Sequence, residues 1–210
     1  MRLILVRHGI SEGNSRKLIQ GQTDYPLTEA GHAQAQLIAR RFAREPIDHI
    51  YVSDLTRAMQ TAEPVIRAHP NASVTYDPRL RERNYGSLEN RPKPEVVACG
   101  EATERGTWIA PPEGEHLDAF THRVMSVLDD LYENHQGETV LVVSHSGVLT
   151  RILLTLSRAS DEEYATYRPR NASVTIIEFD LEKNHELHVM SCTEHLEKDS
   201  GMEKNSEGRI

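Results

Sequence analysis

The stretch Met1-Arg-Leu-Ile-Leu-Val-Arg-His-Gly9 decides the fold of this chain. Leu3 to Val6 form a short apolar run with β-branched residues, which is the pattern of a buried central strand, and Gly9 ends that run. A cation, Arg7, and an imidazole, His8, therefore lie where a strand passes into a loop. In open α/β sheets this edge is where ligands bind. The first strand thus predicts a ligand site at its carboxyl end.

The rest of the chain alternates between strand and helix patterns. A second apolar run, Thr139 to Val143, ends in Ser144-His-Ser-Gly147 much as the first ends in Arg-His-Gly. Further strands are predicted at 47–52, 74–76, 174–179 and 187–190, the last two as an antiparallel pair at one edge of the sheet. Helices are predicted after Thr28, after a Ser53-Asp54 cap with a break or kink at Pro64, from Leu117 towards Gly137, and over 148–156. This alternation predicts an α/β fold, a three-layer α/β/α sandwich with a mainly parallel sheet and one antiparallel edge strand.

Length and composition restrict the possible classes of protein. With 210 residues we expect a single domain over 1–195 and a polar tail over 196–210, with a long irregular loop over 90–112. The net charge of −8 argues against nucleic acid and anionic membranes as partners. No apolar run approaches membrane length, and a strand starting at residue 2 leaves no room for a signal peptide, so we expect a cytoplasmic protein. No pattern indicates an oligomeric state.

Several motifs are interpreted as structural. Cys99 and Cys192 share no motif spacing, which favours reduced thiols over a disulfide. Asn171-Ala-Ser matches a glycosylation acceptor, which we take as coincidence in a protein that is not secreted. His185-Glu-Leu-His188 lies on a predicted strand, where its two histidines would point to opposite faces, so we expect no metal site there.

The two histidines at strand ends carry the functional hypothesis. A lone histidine at a strand end is more often a structural hydrogen-bonding residue. Here His8 and His145 follow two predicted strands at matched positions, and Arg7 stands beside one of them, which favours a functional site. Arg7 and Arg57 offer planar cations suited to phosphate oxygens, and the amide of Asn14 could bind the same group. Each of Arg57 and Asn14 alone would be read as a surface or turn residue.

Phosphoryl transfer also needs a nucleophile and an acid. A histidine nucleophile must be neutral, with one ring nitrogen fixed as a donor so that the other presents its lone pair. His8 is our candidate for that role. The leaving oxygen needs a proton, and Glu82, between Arg81 and Arg83, is the candidate acid. The alternative for Glu82 is an ion-paired surface residue.

At this point the sequence resembles a known family, the histidine phosphatase superfamily with its phosphoglycerate mutase-like fold. The resemblance rests on 5–9 with 12–14, on 52–62, on 80–86, on 111–115 and on 143–145, all in the family's order between residue 2 and about 190. It implies that His8 is the phosphorylated nucleophile and Glu82 the proton donor, with no metal or organic cofactor. It also implies a phosphate pocket, which we expect to comprise Arg7, Asn14, Arg57, His145 and Ser146.

Within the superfamily, the chain looks most similar to small phosphatases and to the TIGAR-type fructose-2,6-bisphosphatase group. The similarity to that group lies in Arg81-Glu-Arg83 and Arg91-Pro-Lys93. Phosphoglycerate mutases carry a longer insertion with a basic cluster, where this chain has only Arg105 among Glu101 and Glu104. We therefore expect a phosphatase acting on a small phosphate ester. A phosphoglycerate mutase and a non-catalytic module that binds phosphorylated ligands are the alternatives.

The substrate is predicted to carry a second anionic group, as in sugar or glycerate bisphosphates. The residues expected to contact the substrate are Gln22, Arg81, Tyr85, Arg91 and Lys93. Arg83 is expected to meet the second anionic group as well. Each of the residues expected to meet that group could equally be a solvated surface residue, namely Arg81, Arg83, Tyr85, Arg91 and Lys93.

Overall fold

A six-stranded sheet forms the middle layer of the computed structural model, which describes residues 1–98 and 111–197. The strands are β1 (Arg2–Arg7), β2 (His49–Val52), β3 (Ser73–Tyr76), β4 (Thr139–Ser144), β5 (Val174–Phe179) and β6 (His185–Cys192). Their order across the sheet is β3-β2-β4-β1-β5-β6. Strands β3, β2, β4 and β1 run parallel to one another, whereas β5 is antiparallel to both β1 and β6. The predicted α/β class and the antiparallel pair at the sheet edge are confirmed.

Helices cover both faces of the sheet. They are α1 (Glu12–Ser15), α2 (Glu29–Phe42), α3 (Thr56–Ala68), α4 (Lys93–Ala98), α5 (Leu117–Asn134), α6 (Ser146–Leu156), α7 (Tyr164–Tyr167) and α8 (Glu194–Glu197). Leu3 and Leu5 of β1 join a core with α5 and α6. Ile4 and Val6 join a second core with α2 and α3 on the other face. This period-two alternation between two apolar layers explains why the whole run of β1 is apolar.

The start of α3 differs from the predicted Ser53-Asp54 cap. The helix begins at Thr56, whose backbone N–H and hydroxyl donate to the carboxylate of Asp24 at 2.8 and 2.6 Å. Ser53 instead accepts a hydrogen bond from His145, and Asp54 pairs with Arg81. The helix was also predicted to break or kink at Pro64. The break does not occur, because α3 continues to Ala68. Its buried face packs against the sheet, which outweighs the hydrogen bond that a proline loses.

Two predicted irregular segments are partly helical. Residues 93–98 of the predicted 90–112 loop form α4. The remainder to 110, with Cys99, Glu101, Glu104 and Arg105, lies outside the described residues. Residues 196 and 197 of the predicted tail belong to α8, and Leu196 packs on the second core. Residues 198–210 lie outside the described part of the chain. Among the described helices, none is long and apolar enough to cross a bilayer.

Candidate active site

The two histidines that follow β1 and β4 lie side by side. These strands pair in parallel, and Arg7 is the partner of Ser144 at the end of the ladder. The backbone N–H of His8 donates to the carbonyl of Ser144 at 2.9 Å. The rings of His8 and His145, both buried, have their centroids 5.1 Å apart. The sheet register thus brings together two residues that are distant in the chain.

A cavity opens at this edge of the sheet. The sequence-predicted residues on its wall are Arg7, His8, Asn14, Arg57, Glu82, Tyr85, Lys93 and Ser146. The wall is completed by Leu18, Ile19, Gln20, Gly21, Tyr164 and Arg168. The wall combines several cations with an imidazole and a carboxylate. Such a set is suited to holding a phosphoryl group and to moving a proton.

His8 is held in one tautomer. Its Nδ1 lies 2.7 Å from the carbonyl oxygen of Gly9. Because a carbonyl oxygen can only accept, Nδ1 carries the proton and Nε2 has the free lone pair. Burial lowers the pKa of His8 well below its usual value, and the charges of Arg57 and Arg7 lower it further. The imidazole is therefore neutral at pH 7, as a nucleophile requires.

The two predicted phosphate-binding arginines are anchored by carbonyl groups. Arg7 donates from Nη1 to the carbonyl of Pro169 at 2.8 Å, and Arg57 donates from Nη2 to that of Gly21 at 2.7 Å. Burial and the nearby Arg168 lower the pKa of Arg7 to about 10, so it remains protonated at neutral pH. Carbonyl anchors fix the position of a guanidinium without neutralising its charge. The cavity thus keeps a strong positive field for an anion.

His145 lies behind the cavity wall. Nε of Arg57, which can only donate, is 3.2 Å from Nδ1 of His145. The proton of His145 is therefore on Nε2, which donates to Oγ of Ser53 at 2.7 Å. Burial, and next the charge of Arg57, lower the pKa of this imidazole well below its usual value. His145 is fully buried and contacts Arg57 and His8, so its contact with a phosphoryl group remains a prediction.

Glu82 is held on the wall by two backbone amides. Its Oε2 accepts from the N–H of Gly147 at 2.9 Å, and its Oε1 from the N–H of Arg83 at 2.9 Å. Gly147 is the second residue of α6, two positions after His145. Gln22 donates from Nε2 to the carbonyl of Glu82 at 3.2 Å. Gln22, which is not on the cavity wall, therefore supports the segment that carries Glu82.

Three other predicted substrate contacts, Arg81, Arg83 and Arg91, also lie off the wall, and Arg83 instead donates from Nε to the carbonyl of Glu115 at 2.9 Å. Arg81 makes a two-pronged ion pair with Asp54, at 2.7 and 2.5 Å, so its charge is already compensated. That hydrogen-bonded pair raises the pKa of Arg81 and lowers that of Asp54. Arg91 is not among the residues that line the cavity. The neighbouring Lys93 does line it, as does Tyr85.

A cation and a phenol on the wall were not predicted from the sequence. Arg168 donates from Nε to Oγ of Ser146 at 3.3 Å. Tyr164 is the first residue of α7, the short helix that directly precedes Arg168. These residues come just before β5, whose first residue pairs with Val6 at the end of β1. An antiparallel neighbour begins at the edge where β1 ends. The order of strands along the sheet was the missing signal, because it places this segment beside His8.

Asn171 was also missed, although it connects three parts of the site. Its Nδ2 donates to the carbonyls of His8 and Gly9 at 3.1 and 3.2 Å. It also donates to Oδ1 of Asn14 at 3.0 Å. The carbonyl of Gly9 is the one that fixes the tautomer of His8. Asn171 therefore orients the segment around the nucleophile candidate, whereas the sequence indicated only a coincidental glycosylation pattern.

Comparison with known proteins shows the family of the chain. The family model described as histidine phosphatase superfamily (branch 1) matches residues 3–191. The chain belongs to this superfamily. Its members are phosphatases or mutases, so the chain is an enzyme of that kind.

Individual relatives match most of the chain. A Yersinia pestis (strain Pestoides F) protein named "Probable phosphoglycerate mutase GpmB" is 40% identical over 184 residues, 85% of each chain. The solved structure of Bacillus stearothermophilus YhfR has 29% identity and a TM-score of 0.83, covering 93% of this chain and 98% of that one. The alpha-ribazole phosphatase from Shigella flexneri has 28% identity and a TM-score of 0.80, covering 91% and 96%. These proteins share the phosphoglycerate mutase-like fold with this chain.

The buried imidazole of His8 predicts how the stability of this member of the histidine phosphatase superfamily depends on pH. Because the folded-state pKa of His8 lies well below 6.5, the unfolded chain binds a proton at higher pH than the folded chain does. The free energy of unfolding therefore suffers no loss from His8 above pH 6.5. As the pH falls from there towards the lowered pKa, it decreases by up to about 1.4 kcal/mol per pH unit. Chemical denaturation of wild type and His8→Asn over about pH 5 to 8 measures this loss as a difference between the two proteins. A difference that does not change with pH would contradict the buried neutral state of His8.

Proposed function

We propose that this enzyme is a phosphatase that hydrolyses a small phosphate monoester through a phosphorylated His8. The observation that carries the proposal is the 2.7 Å hydrogen bond from Nδ1 of His8 to Gly9, which leaves Nε2 as a nucleophile on a wall lined by guanidinium groups. Phosphoryl transfer needs little more than this, a positioned nucleophile and fixed positive charge around the equatorial oxygens.

In the first half-reaction, Nε2 of His8 attacks phosphorus and the bond from phosphorus to the ester oxygen breaks. Arg7 and Arg57, with the amide of Asn14, bind the equatorial oxygens and stabilise the charge that develops on them. Glu82, as the carboxylic acid, gives its proton to the leaving oxygen, which departs as an alcohol. The products are N-phosphorylated His8 and a Glu82 carboxylate.

In the second half-reaction, a water molecule enters where the alcohol has left. The Glu82 carboxylate takes a proton from that water as its oxygen attacks phosphorus, and the bond from phosphorus to Nε2 breaks. Inorganic phosphate leaves, and both neutral His8 and protonated Glu82 are restored. The hydrogen bonds from Gly147 and Arg83 keep the carboxyl group in place for both proton transfers. The proposed steps use side chains alone, in line with the expectation that no metal or organic cofactor takes part.

The second anionic group of the substrate would bind beside Lys93 and Arg168. Both line the cavity, and no salt bridge within the described residues involves either one. Burial lowers the pKa of Lys93, as do the neighbouring charges of Arg168 and Arg7. Such a cluster of cations is stabilised by an anion. These contacts support a sugar or glycerate phosphate with a further phosphate or carboxylate as the substrate. Arg168 would then bind the second anionic group that Arg81 was expected to bind.

A phosphoglycerate mutase is the second candidate, favoured by the name of the 40% identical relative. It shares the first half-reaction and returns the phosphoryl group to a sugar acid instead of water. Phosphate release is measured with fructose bisphosphates, bisphosphoglycerate, 3-phosphoglycerate, α-ribazole phosphate and nucleoside monophosphates. In parallel, isomerisation of 3-phosphoglycerate is followed with and without bisphosphoglycerate. Release of phosphate without stimulated isomerisation is the expected result. Stimulated isomerisation would identify a mutase, and binding without either reaction would indicate a non-catalytic module.

Gly147 provides a sharp test of where Glu82 must lie. A Cβ at this position would fall 2.2 Å from Oε1 of Glu82 and 3.1 Å from its Cδ. Gly147 lies inside α6 with an ordinary helical backbone, which alanine also adopts. We expect Gly147→Ala to retain its fold but to lose about 100-fold in kcat, since the displaced carboxyl no longer reaches the leaving oxygen. Steady-state kinetics with a thermal melt measure both effects, and an unchanged kcat would contradict the role of Glu82.

A further inference from the structure

His49, His135 and Glu138 form a cluster at the edge of the sheet opposite the catalytic cavity. His49 is the first residue of β2, His135 directly follows α5, and Glu138 directly precedes β4. One ligand atom from each lies within 4.8 Å of the others. We propose that these three side chains bind a divalent transition-metal ion, with zinc as the ion that fits best. Two imidazoles and one carboxylate, with water in the fourth position, are an established ligand set for zinc.

The distances within the cluster suit a single ion. Oε2 of Glu138 lies 2.9 Å from Nε2 of His49 and 2.9 Å from Nδ1 of His135. Zinc bonds of about 2.0–2.1 Å in a tetrahedron place the ligand atoms about 3.3 Å apart. The two nitrogen-to-oxygen distances are thus about 0.4 Å shorter than this spacing, and all three ligand atoms lie within 4.8 Å of one another. The imidazole rings of His49 and His135 already lie close together, with centroids 4.0 Å apart.

Tyr51 provides the outer contact that a metal-binding histidine needs. Its hydroxyl lies 2.8 Å from Nε2 of His135, the ring nitrogen that faces away from Glu138. When Nδ1 of His135 binds a metal, the ring proton must be on Nε2, where it donates to the hydroxyl oxygen of Tyr51. A ligand histidine held in this way by a second group keeps its tautomer and its orientation.

The backbone holds the three ligands in place before an ion binds. His49 is fixed by its pairing with Val140 of β4. The backbone N–H of Glu138 donates to the carbonyl of His135 at 3.2 Å, across a turn in which Gly137 has a φ of +79°. Asp48, beside His49, accepts from the N–H of Thr139 at 2.8 Å and adds negative charge. A site assembled in advance binds its ion at a lower conformational cost.

The location gives the ion a structural role. The cluster lies at the amino ends of β2 and β4, whereas His8 and His145 lie at the carboxyl ends of β1 and β4. A bound ion would connect the turn between α5 and β4 to β2, so it would stabilise the sheet without taking part in the reaction. His135 is buried and His49 partly buried, while Glu138 keeps the site open to solvent.

The test uses the full-length, tag-free protein after treatment with a chelator. Zn²⁺ binding is measured by equilibrium dialysis with metal analysis, and Co²⁺ replaces Zn²⁺ to report the coordination geometry by absorption. The variants are His49→Gln, Glu138→Gln and Tyr51→Phe. His185→Gln and His188→Gln, which alter the histidines of β6, are the matched controls. Phosphatase activity is followed with each protein.

We expect wild type and both controls to bind one Zn²⁺ per chain, to melt at a higher temperature with it, and to give the intense bands of four-coordinate cobalt. His49→Gln and Glu138→Gln lose this binding, and Tyr51→Phe weakens it by about 10-fold or more. All five variants keep the wild-type phosphatase activity. Equal binding by wild type and Glu138→Gln, binding lost in the controls instead, or no binding by folded wild type would each overturn the proposal. The last result would assign the cluster to hydrogen bonding alone.

Discussion

Replacing His8 with asparagine will reduce phosphate ester turnover by at least about 10⁴-fold and will remove acid-labile phosphoryl labelling. Asparagine keeps a polar group near the position of Nδ1, so the hydrogen bond to Gly9 has a replacement. It has no counterpart of the Nε2 lone pair, and no other nucleophile takes its place. Rapid mixing with a labelled phosphate ester, followed by an alkaline quench, measures the covalent intermediate.

The control for this experiment is His185→Asn, on the exposed strand β6. It should label and turn over as wild type does. A His8→Asn protein that still acquires an acid-labile phosphoryl group would show that another residue is the nucleophile. His145 would then be the first candidate, since its ring lies 5.1 Å from that of His8.

The placement of His8 and His145 could be predicted from the sequence because two simple rules apply to them. Each follows a continuous apolar run that is buried on both faces, and the carboxyl ends of parallel strands meet at one edge. The structure has these strands as neighbours, with Leu3 paired to Val140 and Val6 to Val143. Local pattern and sheet topology point to the same place, so the prediction needed no knowledge of long-range contacts.

The remaining parts of the site depend on contacts that spacing along the chain does not reveal. Arg81 looks like a substrate cation until Asp54, 27 residues away, is seen to compensate its charge. Asp24 caps α3 from a distant loop, which leaves Ser53 for His145. Each of these pairings is decided by the fold as a whole. Side chains of the same type, in similar sequence surroundings, bind different partners. The sequence alone does not show which partner each side chain binds.

Arg168 and Asn171 show a second limit. Both belong to the segment that enters β5, and the sequence placed β5 at the sheet edge without deciding its neighbour. Once β5 pairs antiparallel with β1, its amino end lies beside His8, and the polar residues that precede it reach the cavity. Strand order is set by the packing of whole helices on the sheet. Single-sequence patterns carry little information about it.

Replacing Glu82 with glutamine gives a loss of activity that depends on the leaving group. Phosphate esters of alcohols need a proton on the departing oxygen, so kcat/KM should fall by about 10²–10⁴-fold. With 4-nitrophenyl phosphate, the phenolate leaves without a proton, and phosphorylation of His8 should stay within about 10-fold of wild type. Hydrolysis of the phosphorylated His8 still needs a base for water. Rapid-quench kinetics should therefore show a burst of one nitrophenolate per enzyme, followed by slow turnover.

Glu63→Gln, which alters an exposed carboxylate paired with Arg67, is the matched control and should follow wild type with both substrates. The contrast between substrates separates proton transfer from structural damage, because a distorted cavity would slow both to the same extent. Equal losses with alkyl and aryl esters would assign Glu82 to positioning, through its bonds to Gly147 and Arg83, and not to proton transfer. A loss confined to the alkyl ester, joined to a burst with the aryl ester, requires one carboxyl group to act first as acid and then as base. That dependence on the leaving group follows from Glu82 being the single carboxylate among the described residues that line the cavity with His8.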